Sequence, residues 1–415
     1  MSERSPTRGA CLIGLLAFSA AACAEPAEEA AWTVRDSADV RVVENVRPAW
    51  MPETAWRVAE MPSLEIGVED GEEPYVFFRV SDALRLPDGR IVVGNSGTGE
   101  LRFFDPTGRF LYRAGGHGQG PGEFGEFSSI RIWGARRDVI VATDGFNNRV
   151  NFFRSTGEFV SSVRIEPIPS RTSPAIIDGF ADGTWLAVGG LGPLAGAPGQ
   201  IIGGSLEYSR YNPDGRPADT LFELADPRRY VHSYGGVTHY PYLPFPARPS
   251  VAAGDYWLFV GDGTTHEIER RRLDGELNSL YRWPEGQRRR AADFYDRYRE
   301  ADIESTREER RPLIIHYYEQ DLPLPEYLPA HQGLFVDDEG YLWVERYRLP
   351  WKSQPSWEIF DPDGRWLGDI QTPERFRIFQ IGRDFLLGRH RDELGVERIR
   401  VYELVRPSPP GDGRD

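Results

Sequence analysis

The chain has 415 residues, of which 40% are hydrophobic and 12% aromatic, enough apolar material for a large core. Its formal net charge is −15, and this excess of acid excludes nucleic acid as a partner because phosphate binding requires a basic surface. The 44 glycines and 33 prolines are typical of a fold with many tight turns.

The N-terminus has the pattern of an export signal. Arg4 and Arg8 precede an apolar run over residues 10–22 that is too short to remain a transmembrane helix. Small residues close this run before Cys23, and the only other cysteine, Cys11, lies inside it. The pattern resembles the lipobox of bacterial lipoproteins, which implies a signal peptide over 1–22 and a lipid on Cys23. An ordinary secretory leader cleaved nearby is the alternative.

The rest of the chain divides by composition. Residues 23–40 are mostly small or acidic and predict a flexible tether. Residues 41–406 contain nearly every other apolar run and predict one folded domain. Residues 407–415 are rich in Pro and Gly and predict a disordered tail.

A four-strand unit recurs through the predicted domain. Its first copy is the clearest: the strand 83–86 leads into Pro87-Asp88-Gly89 and a second strand, and the strand 101–105 leads into a Gly108 turn and a fourth. In these turns Pro presets φ and Gly supplies the positive φ that a tight reversal needs. Further copies begin near residues 130, 180, 254, 334 and 379. Six repeated β units predict an all-β, six-bladed β-propeller.

The sixth copy has only three strands, which would leave an open sheet edge. The apolar segment 55–60 near the N-terminus has no other place, so we expect it to supply the missing strand and close the ring. Two stacked β-sandwich domains are the alternative, although the same turn chemistry recurs from end to end.

The long connections are all of two kinds, the second turn within a blade and the link between blades. In a four-stranded blade both kinds lie on the same side of the disc. One loop-rich face is therefore predicted, and loops on a rigid scaffold are where binding usually resides. The largest connection, 284–330, has apolar residues at helical spacing, Ala291, Phe294, Tyr295, Tyr298 and Ala301. It predicts a helical insertion on this face, packed against the propeller or presented to a partner.

Segment 144–153, DGFNNRVNFF, resembles the NHL repeat, with its D, N-x-R-V and F spacing. Segment 115–124, GGHGQGPGEF, and segment 35–45, RDSADVRVVEN, are similar to stretches of bacterial six-bladed propeller lipoproteins. The resemblance implies a propeller and an exported, membrane-anchored protein in the periplasm or on the cell surface. It implies no activity, although some relatives of this fold are zinc-dependent amidating lyases or calcium-dependent lactonases.

Two functions are compatible with this pattern. The first is a binding protein of the cell envelope for a protein, a peptide or a glycan, with no cofactor. Its candidate ligand-binding residues on the loop-rich face are His117, Asn147, Arg149, His232, His239, His266 and His331. The second is a metal-dependent lyase or lactonase-type hydrolase, which for zinc needs three imidazoles converging on the channel. No catalytic residue or metal ligand is identifiable from spacing, and no G-x-S-x-G or P-loop motif is present.

Overall fold

A computed structural model describes residues 30–125, 132–135, 139–168, 174–190 and 194–407. The predicted signal peptide, Cys23 and all but the first residue of the predicted tail, residues 408–415, lie outside the described residues. The compact unit begins at Ala31. Its N-terminal part contains four short strands: β1 (Trp32–Ser37), β2 (Val40–Asn45), β3 (Arg57–Val58) and β4 (Leu64–Ile66).

The first three blades are four-stranded antiparallel sheets. Blade one contains β5 (Val80–Arg85), β6 (Ile91–Asn95), β7 (Glu100–Phe104) and β8 (Phe110–Gly115). Blade two contains β9 (Ile132–Ala135), β10 (Val139–Asp144), β11 (Arg149–Arg154) and β12 (Phe159–Arg164). Blade three contains β13 (Ala175–Gly179), β14 (Trp185–Gly189), β15 (Ile201–Tyr211) and β16 (Pro217–Tyr230). β15 and β16 are unusually long, and their pairing extends to Ile201 and Tyr230. Part of the long connections predicted next to them is therefore strand.

The other three blades repeat the pattern. A small hairpin, β17 (His232–Tyr234) and β18 (Val237–His239), separates blades three and four; we name it the cap hairpin. Blade four contains β19 (Ser250–Ala253), β20 (Leu258–Gly261), β21 (Glu267–Arg271) and β22 (Leu277–Arg282). Blade five contains β23 (His331–Val336), β24 (Leu342–Arg346), β25 (Ser356–Phe360) and β26 (Trp366–Gln371). Blade six contains β27 (Phe376–Ile381), β28 (Phe385–Arg391) and β29 (Glu397–Val405).

The N-terminal segment closes the sheet of blade six, as predicted. β3 pairs with β29 through Val58 and Leu404, and β4 pairs with the same strand through Ile66 and Ile399. The closing strand is therefore longer than the predicted 55–60 and is made in two pieces. Main-chain hydrogen bonds that blade six could not otherwise satisfy are the physical reason for this pairing.

A chain of hydrophobic cores between the blades completes the ring. Alternate side chains of a strand point to opposite faces of the sheet, and consecutive residues in the second strand of each blade enter the two neighbouring cores. Val92 packs in the core shared with blade two, and Val93 in the core shared with blade six, where it meets Leu387. The same alternation occurs at Ile140 and Val141, Trp185 and Leu186, Leu258 and Phe259, Trp343 and Val344, and Leu386 and Leu387. The fold is a closed six-bladed β-propeller.

The prediction of a flexible tether is wrong for residues 32–37, which form β1. A two-residue turn with positive φ at Ala38 and Asp39 joins β1 to β2, and β2 pairs in parallel with β22, the outer strand of blade four. The exposed main chain of that outer strand offers hydrogen bonds that composition alone does not reveal. Trp32 is partly buried against the blade-four core, and Arg365 stacks on its ring at 4.8 Å.

The insertion contains two short helices, α1 (Tyr295–Ser305) and α2 (Arg311–Tyr318). The predicted apolar stripe faces the host: Ala291 is fully buried, and Phe294, Tyr295 and Tyr298 pack on a cluster with Phe245. Of the two alternatives for this insertion, packing against the propeller or presentation to a partner, the structure shows packing against the propeller. Within the described residues, no helix is long and apolar enough to cross a bilayer.

Candidate functional site

Predicted site residues of blade two form an internal network. Asp144 has no exposed surface and accepts hydrogen bonds from Asn147 Nδ2 at 2.7 Å and Arg149 Nε at 3.2 Å. Asn147 also donates to the carbonyl of Gly118, and Arg149 to that of Gln119. The two side chains thus hold the glycine-rich link between blades one and two in place.

His117 lies in the same link and is exposed. Its Nε2 is 3.2 Å from the carbonyl oxygen of Gly97, in the second turn of blade one. The structure therefore places His117 beside Asn147 and Arg149, and away from the other four candidate histidines.

A second group lies where α2 packs against the cap hairpin. His232 is 2% exposed, and its Nε2 is 3.2 Å from Nδ1 of His316 in α2. His239 is the cross-strand partner of His232. Burial lowers the pKa of His232, and the charges that His316 and His239 can carry lower it further. His316 was absent from the candidate residues because its neighbour is 84 positions away in the chain.

A third group lies between blades four and five. His331 begins β23 and is 1% exposed, and its Nε2 is 3.3 Å from the amide nitrogen of Gly263. An amide can only donate, so Nε2 is the acceptor and the neutral ring carries its proton on Nδ1. Nδ1 has no hydrogen-bond partner among the described residues. Burial lowers the pKa of His331 to about 4, and it also lowers the pKa of His266, which packs edge-on against Trp283.

These groups do not form a metal centre. Among the described residues, no three His, Cys, Asp or Glu side chains are arranged to hold a metal ion. The zinc alternative requires three such ligands and an open position, so the residues that the structure describes do not fit it.

A cleft of about 1330 Å³ opens on the propeller. Its wall is built from segments of blades three to five and their links, and from the N-terminal segment that follows β2. The segments are 46–48, 224–228, 243–249, 262–266, 284–289, 323–330 and 346–358, together with Trp366. Pockets for small ligands usually measure about 300–1,000 Å³, so this cleft has room for a short oligomer. Of the predicted site residues, His266 lines it, and Ala330 brings the chain into it just before His331.

The charge of the cleft wall differs from that of the chain. Seven basic residues line it, Arg47, Arg228, Arg288, Arg289, Arg346, Arg348 and Lys352, against five acidic residues, Asp226, Asp262, Glu285, Glu326 and Glu358. Salt bridges join Arg346 to Glu358 and Arg288 to Glu285. In the described part of the chain no carboxylate forms a salt bridge with Arg228, Arg289 or Lys352, all of which are exposed.

Lys352 is the only lysine in the chain. The basic residues otherwise are all arginine, and sequence reasoning gave this exception no weight. Its rarity was a signal that could have drawn attention to residues 346–358 before the structure placed them in the cleft.

Comparison with known proteins supports the fold over part of the chain. Residues 78–172, which contain blades one and two, match the profile of a family described as a 6-bladed beta-propeller. None of the curated proteins matches the chain.

Similar solved structures come from several bacteria. A Bacteroides fragilis protein is 12% identical over 88% of this chain and 100% of its own, with a TM-score of 0.43. A virginiamycin B lyase from Staphylococcus aureus is 9% identical over 85% and 99%, with a TM-score of 0.40. A gluconolactonase from Xanthomonas campestris is 12% identical over 84% and 100%, with a TM-score of 0.42. Likeness at this level carries no argument about activity or ligand. The chain is a six-bladed β-propeller.

Proposed function

We propose that this protein is a lipid-anchored β-propeller of the cell envelope that binds a short carboxylate-bearing chain in the cleft on its loop-rich face. The observation that carries the proposal is the reversal of charge at the cleft. The whole chain has 49 basic and 64 acidic residues, whereas the cleft wall has seven basic and five acidic residues. A net excess of one charge around a concave surface raises the local concentration of the opposite ion.

Ion pairs within the cleft wall involve only some of its basic residues. Because Arg346 and Arg288 already have carboxylate partners, they neutralise their own neighbours and add little net field. Arg228, Arg289 and Lys352 remain available to an incoming anion. Arg289 is held by two weak contacts, a 3.5 Å approach to the Tyr347 carbonyl oxygen and stacking on Phe294 at 5.9 Å. A guanidinium binds a carboxylate through two parallel hydrogen bonds.

The wall is also stiff. Nine prolines line it: Pro48, Pro227, Pro244, Pro246, Pro249, Pro284, Pro323, Pro325 and Pro329. Proline fixes φ, so a wall rich in proline loses little freedom when a ligand enters. Phe245 lies between two of these prolines, is 2% exposed and has a φ of 53°. Such a φ is strained for a bulky residue, and strain of this kind is concentrated at binding sites.

Aromatic side chains supply the apolar part of the wall. Phe245, Tyr327, Tyr347 and Trp366 all line the cleft. Ligand sites commonly combine such apolar surface with a few polar groups that fix the orientation of the ligand. The ligand chemistry that fits is a chain with carboxylates and an apolar body, either an acidic peptide or a uronic-acid oligosaccharide.

The proposed lipid anchor on Cys23 is separated from the folded domain by a short segment. Val46, which lines the cleft, donates its N–H to the carbonyl of Ala31 at 2.9 Å. Seven residues, 24–30, separate Ala31 from Cys23 and reach at most about 25 Å when extended. A lipid on Cys23 would therefore tether the folded domain through a short segment. Labelling cells with a fatty-acid analogue tests this anchor: the protein is expected to incorporate the label and Cys23→Ser to lose it.

The single lysine allows a direct test of the ligand. Reductive methylation with ¹³C-formaldehyde places one side-chain NMR probe in the chain, at Lys352. Oligogalacturonate and oligoglutamate separate the two ligand sources, and neutral cello-oligosaccharide and oligoglutamine are the matched controls. We expect at least one acidic oligomer to shift the Lys352 resonance and the neutral ones to leave it unchanged.

Variants make this test specific to the cleft. The double change Arg228→Gln and Arg289→Gln is expected to weaken binding at least about tenfold, since each lost charge-assisted contact is worth roughly 1.5–3 kcal/mol. Arg216→Gln, an exposed arginine of a turn outside the cleft wall, is the control. Equal responses to acidic and neutral oligomers, or no response to any of them, would refute the proposed ligand class.

A further inference from the structure

The contact between the cap hairpin and the helical insertion consists of two histidines and several tyrosines. The rings of His232 and His316 lie 4.9 Å apart between centroids, with their planes at 44°. Tyr317 packs edge-on against His232, and Tyr234 lies 5.3 Å from His316. This contact joins two segments that are 84 positions apart in the chain.

The distance of 3.2 Å between His232 Nε2 and His316 Nδ1 requires a particular protonation state. One nitrogen must donate a proton and the other must offer a lone pair, so the contact exists only while at least one ring is neutral. When both rings are protonated, two cations face each other at hydrogen-bond distance and the contact becomes repulsive.

No carboxylate among the described residues acts on the pKa of His232 to offset a second positive charge. Burial lowers this pKa most, His316 and His239 lower it further, and the hydrogen bond from His232 to the backbone carbonyl of Leu313 raises it by less. The other titratable groups of α2 are already engaged. Tyr317 OH donates to the Tyr242 carbonyl, and Tyr318 OH to the Asp302 carboxylate. Arg311 donates to two carbonyls of the insertion.

Both elements of the contact continue directly into the cleft wall. Four residues after His239, the wall segment 243–249 begins, and seven residues after His316, the wall segment 323–330 begins. The two segments also meet in one apolar cluster, where Phe245 packs with Leu328. Loosening the contact between the hairpin and α2 would therefore loosen both sides of the cleft.

We propose that His232 and His316 form a proton-operated clasp, which holds α2 against the cap hairpin when a ring is neutral and releases it when both rings are protonated. Control of ligand access by this clasp rests on the proposed function of the cleft; the release of α2 does not. Apolar packing around Tyr317 and Tyr318, which are 3% and 8% exposed, remains at low pH, so the release is local and leaves the propeller folded.

Hydrogen exchange of the full-length protein tests the clasp. Exchange of the backbone amides of residues 311–318 is measured at pH 7.5 and pH 5.0 and corrected for the intrinsic effect of pH. Each unit by which closing lowers a histidine pKa shifts the closed–open equilibrium tenfold at low pH. We expect protection of this segment to fall about tenfold at pH 5.0, with blade strands unchanged.

Two variants separate the clasp from a general effect of acid. In His316→Gln, the amide can bond to His232 in either protonation state and the repulsion between two cations is removed, so the loss of protection at pH 5.0 is expected to be smaller than in the unaltered protein, with only the effect of burying His232 remaining. His232→Gln provides the same test from the other side if the first variant folds poorly. His117→Gln, on blade-one loops, is expected to keep the response of the unaltered protein.

The outcomes are decisive in each direction. Equal protection of 311–318 at both pH values in the unaltered protein, or a loss at pH 5.0 that is undiminished in both glutamine variants, would overturn the clasp. The Lys352 probe then reports ligand binding at the same two pH values. Absence of binding at either pH counts against the proposed ligand and leaves the exchange result for the clasp intact.

Discussion

Replacing Trp56 by alanine would test the closure of the ring. Trp56 is 7% exposed and immediately precedes β3; its ring lies 4.8 Å from Tyr341 and 6.1 Å from Trp343. Arg406 stacks on the same ring at 4.1 Å and forms an ion pair at 2.8 Å with the buried carboxylate of Asp337. Truncating a buried aromatic ring costs about 3–5 kcal/mol. The upper end is expected here because the change also uncovers the arginine of a buried ion pair.

The free energy of unfolding in urea, followed by far-UV circular dichroism, measures this cost without relying on tryptophan fluorescence. Tyr256→Ala is the matched control, since its aromatic ring is 67% exposed and surface changes usually fall within about 0.5 kcal/mol. A cost for Trp56→Ala no larger than that of the control would mean that the N-terminal segment does not hold blade six in place, and the closed ring would have to be abandoned.

Three further changes test other parts of the structure. Burial lowers the pKa of His331 in the folded protein to about 4, below its usual 6.5. Protonation therefore favours the unfolded chain, and the free energy of unfolding falls as pH drops below about 6.5. Between pH 7.5 and 5 we expect urea titrations to show a loss of about 2 kcal/mol, which His331→Gln removes. Asp144→Ala leaves the blade-two network without its carboxylate and is expected to cost about 3 kcal/mol in the same assay, against little for the exposed Asp214→Ala; equal costs would show that the network is unimportant. Gly215→Ala is expected to lower the free energy of unfolding by about 2 kcal/mol or more. The φ of Gly215 is +86°, and a Cβ there would lie 2.0 Å from a main-chain oxygen of the neighbouring blade. Gly145→Ala is the control: it has open space around it, so this variant should have nearly the melting temperature of the unaltered protein.

The number and order of the blades could be read from the sequence because they depend on local signals. The Pro-Asp-Gly turn at 87–89 and the glycine turn at 108 fix hairpins through backbone geometry that neighbouring residues decide. Consecutive apolar residues, such as Val92 and Val93, show that both faces of a strand must be covered. The sequence also showed that blade six lacks a strand and would leave an open sheet edge, which predicted that the segment near Trp56 fills it.

The cleft and its chemistry were decided only by the tertiary structure. Its wall brings together segments that lie between residues 46 and 366, and whether an arginine there is free depends on which carboxylate the fold places beside it. The sequence contains 48 arginines that look alike, yet the fold pairs Arg346 with Glu358 and leaves Arg228 open to solvent. The meeting of His232 with His316, and the pairing of β1 with blade four through β2, have the same origin. Local propensity sets the strands and turns, whereas charge pairing and burial between distant segments are set by how the blades and their insertions pack in three dimensions.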